Sequence, residues 1–303
     1  MPNILVSGLI NLETTVQVDS FPIEYSPVRY PFFGVNTTVS GVGYNLARAL
    51  TALGSNVTLL SLIGSDFQGK AVEDDLVSNR INSDFVLRTL SQTPQSAILF
   101  DRQGRRQVNT DLKDIQEQTY PIERFEAALE STGPHDVAVL ANINFSRPFL
   151  TLAQQAGMAI ATDVHVISNL DDEYNADFMR HASILFMSDA GLPCAPEEWA
   201  RRVVHKYGTE IVVIGLGEHG ALLSVKSLGL LERVPAAYTR AVVSTVGAGD
   251  ALFAAFVHFY AKTGDAYKAL RKAMYFASYK IGSAGGAQGF LTESELDGLM
   301  QRD

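Results

Sequence analysis

Short apolar runs alternate with segments of helical periodicity along most of this chain, and this alternation limits the possible folds more than any other feature. Apolar residues recur at helical spacing in 44–53, 71–79 and 148–155, for example. Strands buried on both faces of a sheet are continuous in apolar residues. The pattern therefore predicts an α/β fold with a mostly parallel sheet covered by helices. The predicted strands are Ile4–Val6, Val57–Leu62, Val137–Leu140, Met158–Ala161, Ile184–Phe186 and Ile211–Ile214.

Two stretches, 12–39 and 96–110, break this rhythm. They carry alternating strand-like patterns with Pro, Gly and polar turns, and no helical pattern separates the strands within either stretch. We expect them to form a small β-sheet that projects from the core as a lid, with Asp101 and Arg105 as exposed residues of a hairpin turn. No repeat or low-complexity linker interrupts the chain, so residues 1–303 are predicted to form a single domain with this lid.

The composition limits the classes of partner. With 47% hydrophobic and 19% charged residues, the chain has the composition of a soluble globular protein. It shows neither an apolar stretch of membrane-spanning length nor the pattern of a signal peptide, so we expect a cytoplasmic protein without a membrane partner. A net charge of −9 without a basic block argues against nucleic acid. The single cysteine, Cys194, excludes an intrachain disulfide.

The segment Ser244–Asp250 joins glycine-rich backbone directly to an apolar helix. Because Gly247 and Gly249 lack a Cβ, their loop can turn N–H groups inward, where the helix dipole adds positive potential. Asp250, in the first helical turn, could accept the proton of an attacking hydroxyl while the loop stabilises a phosphoryl group. An Asp at this position can equally be a helix cap or dipole partner. The segment alone leaves both interpretations open.

A second glycine-rich segment, 215–220, has the spacing of a dinucleotide-binding fingerprint. That fingerprint requires a following helix and an acidic residue about 20 positions later. Here 221–225 is strand-like, and Arg240 stands near the acidic position. We therefore predict strand-turn-strand, in which the glycines either bring backbone close to a nucleotide or serve only as hairpin residues.

Several segments, in their order and spacing, resemble the ribokinase-like (PfkB) carbohydrate kinase family over nearly the whole chain. The resemblance implies a doubly wound α/β core with a small β lid over the sugar. It also implies transfer of the γ-phosphoryl group of ATP to a hydroxyl, commonly a CH₂OH, with Mg²⁺. The segments are 8–13, 40–47, 63–69, 216–221, 245–250 and 286–288.

The resemblance also implies roles for individual residues. Asp250 is the implied catalytic base, with the backbone of Gly247, Ala248 and Gly249 as the anion hole. Glu13 stands where the family usually has Asp, and the extra methylene can change which hydroxyls are read. The implied substrate contacts are Asn11, Glu13, Gly41, Gly43 and Asn45. The implied nucleotide contacts are Gly217, Glu218, Gly220, Thr245, Ala277 and Ser278.

Other positions depart from the family pattern. Of the acidic element expected at 188–191, only Asp189 keeps a carboxylate, which predicts weak Mg²⁺ binding through water. Ser244 replaces an Asp that helps to hold a monovalent cation in some members. Together with Val246 and Gly215, which replace Thr, this argues against activation by potassium. Ser40 and Val42 also differ from ribokinases proper, so a divergent sugar or nucleoside kinase is expected rather than a strict ribokinase.

We therefore expect a kinase that acts on a sugar or sugar derivative, and two alternatives stay open. A nucleoside is one, because Phe32, Phe33 and Val35 in the lid could cover a base. The other is a paralogue that binds ligand without turnover, as the departures could indicate. Asp163 and His165, at the end of a strand, either face the ligand crevice or form a satisfied loop pair. The exposed edge strands of the lid also predict a possible homodimer.

Overall fold

The computed structural model describes residues 1–302, which form a nine-stranded sheet and a separate four-stranded sheet. The strands are β1 (Asn3–Ser7), β2 (Asn11–Gln17), β3 (Val35–Ser40), β4 (Asn56–Gly64), β5 (Val86–Leu90), β6 (Gln95–Phe100), β7 (Arg106–Asp111), β8 (Val137–Leu140), β9 (Ala159–Asp163), β10 (Ile184–Ser188), β11 (Ile211–Gly215), β12 (Ala221–Val225) and β13 (Leu230–Val234). The helices are α1 (Val42–Ala52), α2 (Phe67–Ser78), α3 (Ile122–Thr132), α4 (Arg147–Gln155), α5 (Ala176–His181), α6 (Pro196–Tyr207), α7 (Ala248–Thr263), α8 (Ala266–Lys280) and α9 (Glu293–Met300).

The large sheet has the order β13-β12-β11-β10-β9-β8-β1-β4-β5. Neighbouring strands from β11 to β5 are parallel, and β12 and β13 are added antiparallel at one edge. Strand β1 lies between β8 and β4, so the strands that follow it in the chain are added on both of its sides. In open α/β sheets, ligands bind at such a switch point, beyond the carboxyl ends of the strands. The predicted α/β architecture is confirmed.

Strand β1 shows how the sheet holds its two helical layers. Successive side chains of a strand point to opposite faces. Ile4 and Val6 pack in the core shared with α1, α7 and α8, whereas Leu5 packs in the core shared with α3, α4 and α6. All three side chains are fully buried. A strand covered on both faces needs the uninterrupted apolar run that the sequence shows.

The segment after β11 is a turn between antiparallel strands. Residues 217–219 form a short 3₁₀ turn, and β12 then pairs with β11, with Ile214 opposite Leu222. The prediction of strand-turn-strand is confirmed, and the fingerprint spacing of 215–220 is not followed by a helix.

The small sheet has the order β3-β2-β6-β7 and rises from the carboxyl end of β1. Strand β2 follows β1 closely, and β3 enters α1 through Gly41. Gly41 has a φ of 99°, and a Cβ there would lie 2.6 Å from the carbonyl oxygen of Leu9. Every residue of β7 is exposed, and Tyr25, Phe32 and Phe33 are exposed in the connection between β2 and β3. The homodimer predicted from these edges stays a prediction.

The hairpin between β6 and β7 corrects one expectation. Asp101 is only 3% exposed. Its Oδ1 accepts hydrogen bonds from the backbone N–H groups of Gln103 and Arg105, both at 3.0 Å. Asp101 is therefore the buried centre of this turn, whereas Arg105 is exposed as predicted.

Asp66 connects α2 to the segment that enters β6 of the small sheet. Its Oδ1 accepts from the N–H of Gly69 at 2.9 Å and from the hydroxyl of Thr93 at 2.6 Å, and its Oδ2 accepts from the N–H of Thr93 at 2.9 Å. We expect Asp66→Ala to lower the free energy of unfolding by about 2 kcal/mol, since it removes a helix cap and two further hydrogen bonds. Urea denaturation measures this. Asp265→Ala, which removes the cap of α8, should cost only about 1 kcal/mol. If both variants lost the same free energy of unfolding, the hydrogen bonds between Asp66 and Thr93 would have no stabilising role.

Within residues 1–302, the helices are all too short or too polar to cross a membrane.

Candidate active site

The glycine-rich segment forms the start of α7. Gly247 is the residue before the helix and has a φ of 72°, which favours glycine. The N–H of Ala248 donates to the carbonyl oxygen of Thr245 at 3.2 Å. Among residues 1–302, no group accepts from the N–H of Gly247 or of Gly249. These two amides are free to bind an anion at the positive end of the helix dipole.

Asp250 stands next to these amides in the first turn of α7. Its Oδ2 accepts a hydrogen bond of 2.7 Å from Nδ2 of Asn45 in α1, which packs against α7. Burial raises the pKa of the Asp250 carboxyl, against the opposing effects of the Asn45 bond and the nearby His165 and Lys280 charges. A carboxylate with a raised pKa is better suited to accept a proton than an ordinary aspartate.

A chain of polar side chains leads from Asp250 into the small sheet. Ser40 Oγ lies 3.4 Å from Asn45 Oδ1 and 3.2 Å from Glu13 Oε2, so its hydroxyl can donate to one of the two. On β2, Asn11 Nδ2 donates to Ser96 Oγ at 2.6 Å. The sequence analysis identified Ser40 only as a difference from ribokinases proper. The structure shows that its hydroxyl lies between Glu13 and Asn45, two of the five residues predicted to contact the substrate.

Two acceptor atoms in this chain have no partner. Asn11 is 4% exposed and Glu13 is 6% exposed, yet no group among the described residues donates to Asn11 Oδ1 or Glu13 Oε1. Burial raises the pKa of Glu13, with the Ser40 hydrogen bond acting in the opposite direction. A buried acceptor without a donor is costly unless a ligand supplies one.

The glycines at the start of α1 serve close packing. The N–H of Gly43 donates to the carbonyl oxygen of Leu9 at 2.9 Å, and a Cβ on Gly43 would lie 2.6 Å from the carbonyl oxygen of Gly8. The Gly43 amide is thus already engaged and is not a free donor. The predicted contact of Gly43 with the substrate stays a prediction. It would have to come from the close approach that glycine allows and not from the amide.

Lys280, which the sequence analysis did not single out, lies beneath the anion-binding loop. It ends α8 and is fully buried, and its Nζ donates to the carbonyl oxygens of Val246 and Gly285. Gly286 follows directly, and its carbonyl oxygen would lie 2.4 Å from a Cβ on Gly247. The helical pattern of α8 gave no signal for this position, because a lysine in a last helical turn ordinarily faces solvent.

Arg106 is a second residue that the sequence analysis missed. It is the first residue of β7, and its Nη1 donates to Thr245 Oγ1 at 3.3 Å. This contact joins the small sheet to the loop that precedes the free amides. Thr245, predicted as a nucleotide contact, is therefore also bonded to a residue of the small sheet.

Asp163 and His165 form a pair at the carboxyl end of β9. The N–H of His165 donates to Asp163 Oδ1 at 2.8 Å, and His165 has a φ of 58°. The Asp163 carboxylate raises the pKa of His165 to about 9. The pair is therefore satisfied internally, and its charges also influence the Asp250 pKa. Its predicted position at the ligand crevice stays a prediction.

The predicted nucleotide residues lie along the turn after β11 and on α8. Gly217 and Glu218 are exposed, with no atom within 4 Å of a Cβ on Gly217, whereas Gly220 is buried against the carbonyl oxygen of Val234. Ser278 is also buried, and its Oγ accepts from the N–H of Thr239 at 3.0 Å. Ala277 beside it is partly exposed. The structure leaves the predicted nucleotide contacts as predictions, but it shows that Ser278 is not a surface residue.

Asp189 lies beyond β10, with an exposed side chain. Within the described part of the chain, residues 1–302, no three His, Cys, Asp or Glu side chains cluster as a metal site. Mg²⁺ commonly binds through one or two carboxylates, water and substrate phosphates. The role predicted for Asp189, as a Mg²⁺ ligand through water, stays a prediction.

Comparison with known proteins decides the family. The model of the pfkB family of carbohydrate kinases matches residues 1–293. The chain belongs to this family. It is a carbohydrate kinase, and therefore a transferase, with the ribokinase-like fold. Kinases of this family generally use ATP and Mg²⁺.

Individual relatives of this PfkB kinase are distant. The chain is 24% identical to a deoxyribokinase of Salmonella typhi over 292 residues, which cover 93% of this chain and 94% of the relative. It is 26% identical to a ribokinase of Bacillus subtilis, with 99% and 100% covered. Among solved structures, a microbiome-derived acarbose kinase matches with a TM-score of 0.87 at 25% identity, with 99% of both chains covered.

Proposed function

We propose that this protein transfers the γ-phosphoryl group of ATP to a primary hydroxyl of a sugar or sugar derivative. The observation that carries the proposal is the polar chain from Glu13 through Ser40 and Asn45 to Asp250. At its lid end, Asn11 Oδ1 and Glu13 Oε1 are buried acceptors without donors. A polyol supplies several hydroxyl donors, and one that is bound there can present a further hydroxyl to Asp250.

In this proposal, Asp250 acts as the base. Its carboxylate takes the proton of the acceptor hydroxyl as the hydroxyl oxygen forms a bond to the γ-phosphorus. The bond from the γ-phosphorus to the β,γ-bridging oxygen breaks, and its electron pair leaves with ADP. The free N–H groups of Gly247 and Gly249 hold the oxygens of the transferring group, while Asn45 keeps the carboxylate oriented. Mg²⁺, when bound, would neutralise phosphate charge, with Asp189 as a ligand through water.

Acceptor-dependent release of ADP tests the function. The assay uses MgATP with a panel of pentoses, hexoses, sugar acids, sugar phosphates, oligosaccharides and nucleosides. We expect ADP release above the hydrolysis rate with at least one sugar or sugar derivative, and a phosphorylated product in the mass spectrum. A nucleoside as the only acceptor would overturn the sugar proposal in favour of a nucleoside kinase. ATP binding without turnover on any acceptor would favour a ligand-binding paralogue.

Glu13→Gln tests the role of the unpartnered carboxylate oxygen. The amide replaces one acceptor with a donor and removes the charge, so a sugar hydroxyl loses a charge-assisted hydrogen bond. We expect KM for the acceptor to rise about 10-fold to 100-fold, with KM for ATP within about twofold of the wild type. Glu24→Gln, in the exposed connection between β2 and β3, is the matched control and should change neither constant. Equal acceptor KM values for the two variants would remove Glu13 from the site.

A further inference from the structure

Lys280 places a positive charge in the protein interior without a carboxylate in contact. Its Nζ donates to the carbonyl oxygen of Gly285 at 2.7 Å and to that of Val246. Within residues 1–302, no ion pair joins Lys280 to an acidic side chain. The carboxylates of Asp250 and Glu13 lie near enough to favour the charged form of Lys280 but do not contact it. A buried charge without a contacting carboxylate is expensive, and an apolar side chain of similar size would ordinarily serve stability at least as well. We therefore expect this lysine to have a role besides stability.

The two carbonyls locate the charge at the base of the phosphate site. Val246 directly precedes Gly247, and Gly285 directly precedes Gly286, whose carbonyl oxygen packs against Gly247. The ammonium thus joins the two segments that shape the free amides of the loop. A compact ammonium that bonds to convergent carbonyl oxygens resembles a monovalent metal ion in charge and in ligand preference.

We propose that the Lys280 ammonium takes the place of a bound monovalent cation. Lys280 thereby holds the Gly247–Gly249 loop in its phosphate-binding shape and makes the kinase independent of potassium. Lys280 is a positioning residue, since it acts through the backbone of the loop. The proposal rests on the proposed kinase function, but the occupancy of the position by a cation can be measured without turnover.

The charge state of Lys280 gives the proposal a pH signature. Burial lowers the pKa of Lys280 to about 8, whereas the carboxylates of Asp250 in α7 and Glu13 in β2 favour the charged form and Arg106 in β7 opposes it. Only the protonated side chain is a cation, so kcat should fall as the pH rises through about 8. His165, with a pKa of about 9, titrates separately.

Variants at position 280 test the proposal by cation rescue. Lys280→Ala removes the charge and leaves space at the two carbonyls, whereas Lys280→Met removes the charge and fills the space. In a buffer with choline as the only monovalent cation, we expect both variants to lose about 100-fold in kcat. NH₄⁺ or K⁺ at about 100 mM should restore at least a tenth of wild-type kcat to Lys280→Ala and nothing to Lys280→Met, and the activity that K⁺ restores should not fall above pH 8, because K⁺ has no proton to lose. Lys272→Ala, on the same helix with a partly exposed side chain, is the control and should behave as the wild type.

A second measurement separates this proposal from the kinase function. NH₄⁺ and K⁺ should raise the Tm of Lys280→Ala, because they bind only its folded state, and should leave the Tm of Lys280→Met and of the wild type unchanged. If no acceptor supports turnover by the wild type, the kinase proposal fails while the Tm series still decides the cation position. If Lys280→Ala does not fold without salt, refolding that requires NH₄⁺ or K⁺ supports the proposal. Potassium dependence of the wild type, full activity of Lys280→Met, or a cation-insensitive Lys280→Ala would overturn it.

Discussion

Asp250→Asn is expected to lower kcat by about 10³-fold to 10⁴-fold while the Kd for ATP stays within about twofold. The amide has nearly the shape of the carboxylate, and its oxygen can still accept the 2.7 Å hydrogen bond from Asn45. It cannot take up the proton of the acceptor hydroxyl. Steady-state ADP release, with ATP binding measured by calorimetry, separates loss of chemistry from loss of binding.

The control for this substitution is Asp265→Asn. Asp265 precedes α8 and accepts a hydrogen bond from the N–H of Lys268, and Asn caps a helix about as well as Asp. This variant should keep wild-type kcat. If Asp250→Asn kept more than a tenth of wild-type kcat, Asp250 would be only a helix-start residue and the proposed base would be wrong.

The pH profile should show Asp250 on its acidic side. Burial raises the pKa of this carboxyl above its usual range, and only its deprotonated form accepts a proton. The rate therefore falls as the pH drops through that raised pKa.

Gly247→Ala should have the second largest effect, on both stability and rate. Gly247 has a φ of 72°, and a Cβ would lie 2.4 Å from the carbonyl oxygen of Gly286. We expect a loss of about 100-fold or more in kcat, because the loop must shift away from its phosphate-binding shape. The free energy of unfolding should fall by about 2–3 kcal/mol, from the left-handed backbone and the overlap together. Thermal denaturation and kcat measure the two effects.

Gly264→Ala separates the two causes. Gly264 ends the same helix at a φ of 68°, and no atom lies within 4 Å of its would-be Cβ. It should lose only about 1–2 kcal/mol from the backbone conformation and keep wild-type kcat. A Gly247→Ala variant that matched Gly264→Ala in both measurements would show that the approach of Gly286 to the loop has no functional role.

The parts of the fold that follow from local pattern were predictable from the sequence. The continuous apolar run of β1 requires cover on both faces, and Leu5 and its neighbours Ile4 and Val6 receive it from opposite helical layers. The strand-like residues after Gly220 likewise excluded a dinucleotide-binding helix. In both places the information lies within a few residues, so periodicity was sufficient.

Lys280 and Arg106, which the sequence analysis missed, depend on contacts with distant segments, whereas the burial of Asp101, which it misjudged, depends on the geometry of its own turn. Lys280 is buried at the end of α8, where its Nζ donates to the carbonyl oxygens of Val246 and Gly285. Arg106 lies on a wholly exposed strand, and its bond to Thr245 spans 139 positions of the chain. The turn around Asp101 has the composition of an exposed turn, but two N–H groups of the hairpin donate to the Asp101 carboxylate. The periodicity of a sequence carries no information about these hydrogen bonds.

The position of the bond between Asn45 and Asp250 divides the site along the chain. The proposed acceptor-reading side chains lie at or before residue 45, whereas the proposed base lies 205 positions later, directly after its amides. Because the two sets belong to separate stretches of sequence, substitutions in 11–40 can change which acceptor is chosen while Asn45, Asp250 and the amides stay intact. This arrangement would let a common architecture acquire new acceptors by drift in its amino-terminal part, and it makes exchange of that part between relatives a rational route to engineered specificity.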